Sequence, residues 1–223
     1  MLESFKRIFS GSELVPEWNE ASAWAGQRGY GAAPMDGGFA LDGHFLGKPW
    51  QLEWAPSQRQ FIAGNELRMQ IEAGTPKDMH MMLISAPLMK ALEKQAFERF
   101  TQGMQTQVDE SSPEETRWLV MFAKADLAPL GTVAEHFGAV GNSPAQARIW
   151  VEGPLATLLQ RAAGVLLAAG APFVLMVSRG RATMRLQMSE VSPPLLGSAI
   201  SLFETAVGQA LKVPLIRPPA DVP

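Results

Sequence analysis

The sequence predicts an α+β fold, with an antiparallel sheet built from hairpins in meander order and amphipathic helices packed on one face. Three observations carry this. Apolar and polar residues alternate between 38 and 84, with Gly/Pro turns between the runs. Segments with helical spacing of apolar residues flank and follow that stretch. A second series of strand and helix patterns closes on a hairpin over 173–188 and a last helix. A variant of the same reading divides the chain into two strand-then-helix lobes, 31–111 and 112–213, although no repeated motif joins them.

A helical segment over Pro16–Gln27 opens the pattern, with Pro16 in its first turn, Glu17 and Glu20 near its N-terminus, and Trp18, Ala21, Trp24 and Ala25 as its apolar face. Residues 1–30 therefore form an N-terminal helical segment, and 31–38 reads as a loop. Phe39, Leu41 and Phe45 then alternate with Ala40, Asp42 and His44, and Gly43 takes the remaining inward position. After the turn at 46–49, Trp50, Leu52 and Trp54 alternate with Gln51 and Glu53. A third strand carries Leu67, Met69 and Ile71, and a fourth runs from Met79 to Ile84, completing about four strands in meander order.

The amphipathic helix expected from Pro87 to Gln102 can cover the sheet's apolar face. The stretch 113–123 is open between helix and strand. Ser112 as cap, Pro113 at the first position and Glu115 reaching back favour a helical start, whereas Trp118, Leu119, Val120 and Phe122 suit a strand. Beyond it the sequence predicts a short helix over Leu127–Phe137, a loop over 138–144, a strand over Ala147–Val151 and an apolar helix from Pro154 to Ala169. A hairpin follows, turning at Ser178-Arg179-Gly180-Arg181, then a helix from Leu195 to Leu211 and a Pro-rich tail over 214–223. No low-complexity linker separates the halves, so 31–213 reads as a single domain.

Composition narrows the chemistry. The chain has 223 residues, 47% hydrophobic and 18% charged, with net charge −3, which is globular in character. It contains no cysteine, which excludes disulfides, thiolate metal sites and a Cys nucleophile. The slightly acidic balance argues against nucleic acid as a partner. The longest apolar run, around 162–177, is broken by Gly170 and Pro172 into a helix end and a strand, each too short to span a bilayer. A cytoplasmic location is the expectation.

Motifs for catalysis are lacking. There is no G-x-S-x-G nucleophile turn and no Walker A sequence, since Gly47-Lys48 is followed by Pro49. Gly29-Tyr30-Gly31 follows a helix rather than a strand, the wrong context for a dinucleotide fingerprint. The paired acids Asp109-Glu110 and Glu114-Glu115 occupy turn or capping positions.

The polar candidates that remain are few. Asp42 and His44 share one strand face, and His80 on another strand extends that face, so a ligand or metal site across a sheet is one reading and a solvated face the other. Arg179, Arg181 and Arg185 concentrate positive charge around the Gly180 turn, where forked donors and free N–H groups suit an anion. Leu2, Phe5, Ile8 and Phe9 with Lys6 and Arg7 suit either a helix docked on the protein or one touching a membrane surface.

The expectation is a non-catalytic binding module with no metal or cofactor, acting through a protein partner or self-association as a homo-oligomer. The alternatives are a small-ligand or anion binder, or an enzyme of unrecognised type, with a site between sheet and helix, and a peripheral membrane-surface protein.

Overall fold

A computed structural model of the chain describes residues 15–101, 112–167 and 170–213. The N-terminal apolar segment 1–14, the acids Asp109 and Glu110, the lobe boundary at 111 and the tail 214–223 lie outside the described residues. The fold is α+β and centres on one nine-stranded antiparallel sheet. Its strands are β1 (Gly31–Met35), β2 (Gly38–Phe45), β3 (Lys48–Pro56), β4 (Asn65–Ile71), β5 (His80–Ser85), β6 (Ala123–Lys124), β7 (Phe137–Gly141), β8 (Phe173–Ser178) and β9 (Arg181–Gln187). Their spatial order is β1-β2-β3-β4-β9-β8-β5-β7-β6.

The meander expected over 38–84 holds for β2, β3 and β4. The fourth strand, β5, is separated from β4 by the β8–β9 hairpin: β4 pairs with β9 and β5 with β8. The two halves of the chain are thereby knitted into one sheet.

The helices are α1 (Trp18–Gln27), α2 (Ala86–Thr101), α3 (Glu114–Met121), α4 (Thr132–His136), α5 (Pro144–Val151), α6 (Pro154–Val165) and α7 (Pro193–Lys212). Over one face lie α1, α5, α6 and α7, which bury the inward residues Phe39, Leu52, Met69, Leu83, Leu175 and Met184 in the main core. Three indole N–H groups reach carboxyl or carbonyl oxygens in or beside α7: Trp50 to Glu204, Trp54 to Met188 and Trp150 to Ala206. On the opposite face, α2 and α3 cover only β5, β7 and β8, where Met82, Ile84, Val140 and Val174 pack with Leu88, Leu92 and Trp118. Helices cover a single face over the β1–β4 and β9 part of the sheet, and both faces at the other end.

Gly43 shows why the inward slot on β2 is empty. The Trp50 ring lies across it, and a Cβ there would sit 2.3 Å from Cζ2. The pair uses the missing side chain to seat an indole.

Four segments depart from the sequence reading. Residues 31–35 form a strand rather than a loop, returned to β2 by Asp36-Gly37, a dipeptide suited to two-residue hairpin turns. Residues 137–141 are also a strand, and their glycines permit close contact: Met89 Sδ lies 2.5 Å from where a Cβ on Gly138 would sit, and the His80 carbonyl 2.8 Å from that of Gly141. Residues 144–151 form a helix rather than a strand. The Ser143 hydroxyl accepts from the Gln146 N–H, Pro144 suits the first turn, and Ala147, Trp150 and Val151 are buried at helical spacing. Residues 114–121 are helical without the expected capping box, because Pro113 is the cap residue and Glu115 binds Arg59 instead.

Candidate functional site

A cleft of about 700 Å³ lies on the helical side of the sheet. That size lies within the range of small-molecule sites. Its floor is α7, and its walls are α6 and the end of α1 with Tyr30. Helix α6 runs antiparallel to α7. Gln209 Nε2 near the end of α7 donates to the Glu152 carbonyl just before α6, while Leu166 just after α6 and Pro193 at the start of α7 meet in the lining. The floor is low because Gly197, Ser198 and Ser201 present little or no side chain, and a Cβ on Gly197 would touch Trp24 at 3.6 Å.

The lining is polarised along α7. Near its start stand Val165, Leu166, Pro193 and Pro194, with the Trp24 ring on the facing wall. About three turns further, Glu204 and Tyr30 form the polar end. Trp50 donates its indole N–H to Glu204 Oε1 at 3.1 Å, and Tyr30 meets the Trp50 ring edge-on, with centroids 5.0 Å apart. Burial pushes the Glu204 carboxyl above its ordinary pKa, opposed by the Trp50 hydrogen bond. Burial first, then the nearby Glu204 charge, also pushes the Tyr30 phenol up, and Arg28 opposes that rise. Two cations complete the lining: Arg28, whose guanidinium sits 4.5 Å over the Trp24 ring, and Arg161 on α6.

None of the residues singled out from sequence lies in this cleft. Arg181, Arg185, Asp42, His44 and His80 all belong to the opposite face, by strand alternation. His44 on β2 and His80 on β5 have four strands between them, which places them about 24 Å apart at ordinary strand spacing. They do not converge, and among the described residues no group of three His, Cys, Asp or Glu is placed to hold a metal. Asp42 packs against Gly31 of β1. The His80 ring bonds Ser178 Oγ at 3.0 Å and sits among Trp118 and Phe122 beneath α3.

The arginine cluster is largely engaged. Arg181 pairs with Glu72 and Arg185 with Glu66. Arg179 shares a hollow of about 340 Å³ with Arg181, Ser178 and Thr183, but Glu72 and Glu114 line it as well. Glu66 is fully buried and gathers Arg185 at 2.7 Å, Arg68 at 3.5 Å, the Ser57 hydroxyl and the Gln58 N–H. Arg59 from the same loop reaches Glu115 on α3 at 3.1 Å. Burial pulls the Arg185 guanidinium below its ordinary pKa, and Glu66 counters this. These carboxylates pair with the cations and tie the 57–59 loop to the sheet and to α3.

The cleft residues left one legible signal. Glu204 is the only charged residue in the twenty-residue helix before Lys212. An isolated carboxylate amid Leu202, Phe203, Ala206 and Val207 marks a place where an acid meets an apolar wall. Arg28 and Arg161 carried no such mark. No family model matches the chain, and no curated protein or solved structure matches it either.

Proposed function

We propose that the protein is a non-catalytic binding module and that the cleft between α1, α6 and α7 is its recognition site. The observation that carries this is the convergence in one 700 Å³ cleft of an apolar wall, two arginines and a half-buried carboxyl with a raised pKa. A mostly apolar concavity with few polar groups is the usual form of a small-ligand site. The polar groups suit recognition: Glu204 is held by an indole N–H and Arg28 rests on a ring.

The test uses Nile red, a neutral fluorophore that reports apolar surroundings. One molecule per chain binds, and Ser201→Trp, which fills the exposed floor, removes that binding without lowering the unfolding midpoint. Absence of saturable binding, or binding indifferent to Ser201→Trp, overturns the assignment.

A protein partner or second copy is the second reading, and exposed apolar side chains favour it. Phe97 on α2 and Val120 and Met121 on α3 are 47–68% exposed on two helices that pack together. The sheet edges suit such contact poorly, because Pro34 interrupts the donors of β1 and β6 has only two residues. If this reading is correct, sedimentation shows an oligomer that Phe97→Glu with Met121→Glu converts to monomer. A monomeric native protein at high concentration overturns the self-association form.

A further inference from the structure

We propose that the cleft takes an amphipathic anion, its apolar body laid along the start of α7 against Val165, Pro193 and Trp24 and its carboxylate or phosphate head held by Arg28 and Arg161. The proposal rests on the reading of the cleft as a binding site and adds the chemical class of its occupant.

The charges in the lining point to an anion. Arg28 and Arg161 have no carboxylate partner within ion-pair distance among the described residues, in contrast to Arg68, Arg181 and Arg185 on the other side of the sheet. Two cations facing one cleft repel each other, and a shared anion relieves that repulsion through forked charge-assisted bonds. Arg28 is held in place by the face of Trp24, which leaves its N–H groups free to donate. It also caps the C-terminus of α1, where a cation is favoured.

One further feature acts in the same direction. Glu204 is the single acid in the lining. Its partial burial favours the protonated form, in which it ceases to repel an anion and can donate a hydrogen bond to the head.

The apolar half excludes small inorganic anions as the best occupant. Val165 is 67% exposed and Leu158 and Trp24 stand on facing walls, so an aliphatic chain removes water from surfaces that a bare phosphate leaves wet. A free amphiphile and a phospholipid of a bilayer offer the same head-and-chain chemistry. The cleft is bounded by helices on both walls, which suits a single detached molecule.

Calorimetry on the full chain, with amphiphiles below their micelle concentrations, tests this using dodecanoate, dodecyl phosphate, dodecyltrimethylammonium and inorganic phosphate. The two anionic amphiphiles bind one per chain, at least tenfold more tightly than the ammonium compound and at least a hundredfold more tightly than inorganic phosphate. Arg28→Gln with Arg161→Gln, both surface substitutions, lowers the anion affinity at least tenfold while the unfolding midpoint stays that of the native chain. Equal or tighter binding of the ammonium compound, or anion affinity indifferent to the double substitution, overturns the proposal while the cleft remains a dye site. Binding to phosphatidylglycerol vesicles without binding of monomeric dodecyl phosphate also overturns it in favour of a membrane surface. Failure of every amphiphile together with Nile red overturns both this inference and the assignment of the cleft.

Discussion

Strands β5 and β8 are buried on both faces, whereas β2, β3, β4 and β9 present one face to the core and the other to polar side chains. The two halves of one sheet are therefore held by different physics. At the doubly covered end, Met82, Ile84, Val174 and Met176 remove apolar area from water against α2 and α3. At the open end the same strand positions carry cross-strand pairs, Glu53 with Arg68, Gln51 with Gln70 and Glu66 with Arg185. On its outer face the open half adds charge pairs and hydrogen bonds where the closed half adds packing.

The largest expected effect tests the open half. Glu66→Ala leaves Arg68 and Arg185 without their buried counter-charge and frees the 57–59 loop, at a cost of about 3–5 kcal/mol by urea unfolding. A loss below about 1 kcal/mol shows that these arginines find water or another partner. At the closed end, Met82→Ala removes a fully buried side chain and costs about 2–5 kcal/mol.

A smaller effect separates the fully buried Glu66 from the half-buried Glu204. Glu66 is surrounded by cations and N–H groups, whereas Glu204 has one indole donor and burial works against its charge. Because the folded pKa of Glu204 is raised, the stability it contributes is full below the ordinary carboxylate range and is lost as pH rises through the folded value. Arg28, Arg161 and Tyr30 line the same cleft, and the Trp50 N–H meets the carboxyl from the sheet. Glu204→Gln is thus more stable than the native chain at neutral pH, and the difference vanishes when thermal melts are repeated below pH 4. The reverse order at neutral pH shows that the cleft favours the carboxylate. Smallest of all, Gln51→Ala on the exposed ladder changes stability by no more than about 0.5 kcal/mol.

How much of this was legible follows from the same contrast. Strands β2, β3, β4 and β9 were readable because one wet face imposes alternation, as in Leu67, Met69 and Ile71 against Arg68 and Gln70. Strand β7 was not, because Gly138 and Gly141 serve contacts with Met89 and the His80 carbonyl that only the folded chain supplies. Over helix α5 the sequence suggests a strand because Ile149-Trp150-Val151 carries strong β propensity, although Ser143-Pro144 marks a helix start.

The site was less accessible than the fold. Titratable residues such as His44, His80 and Arg185 drew attention by type, but the sheet distributes them over one broad face. The cleft joins residues from α1, α6 and α7, from Trp24 to Glu204, and spacing alone brings none of them together.

The insertion of β9 and β8 between β4 and β5 also sets an order of assembly. Strand β4 leaves the ribosome more than a hundred residues before its neighbour β9, and β5 waits nearly as long for β8. Until Phe173–Gln187 arrives, the nascent chain carries two sheet fragments with naked inner borders. The hairpin acts as a keystone: every residue upstream of it can be synthesised, and the central seam still stands open.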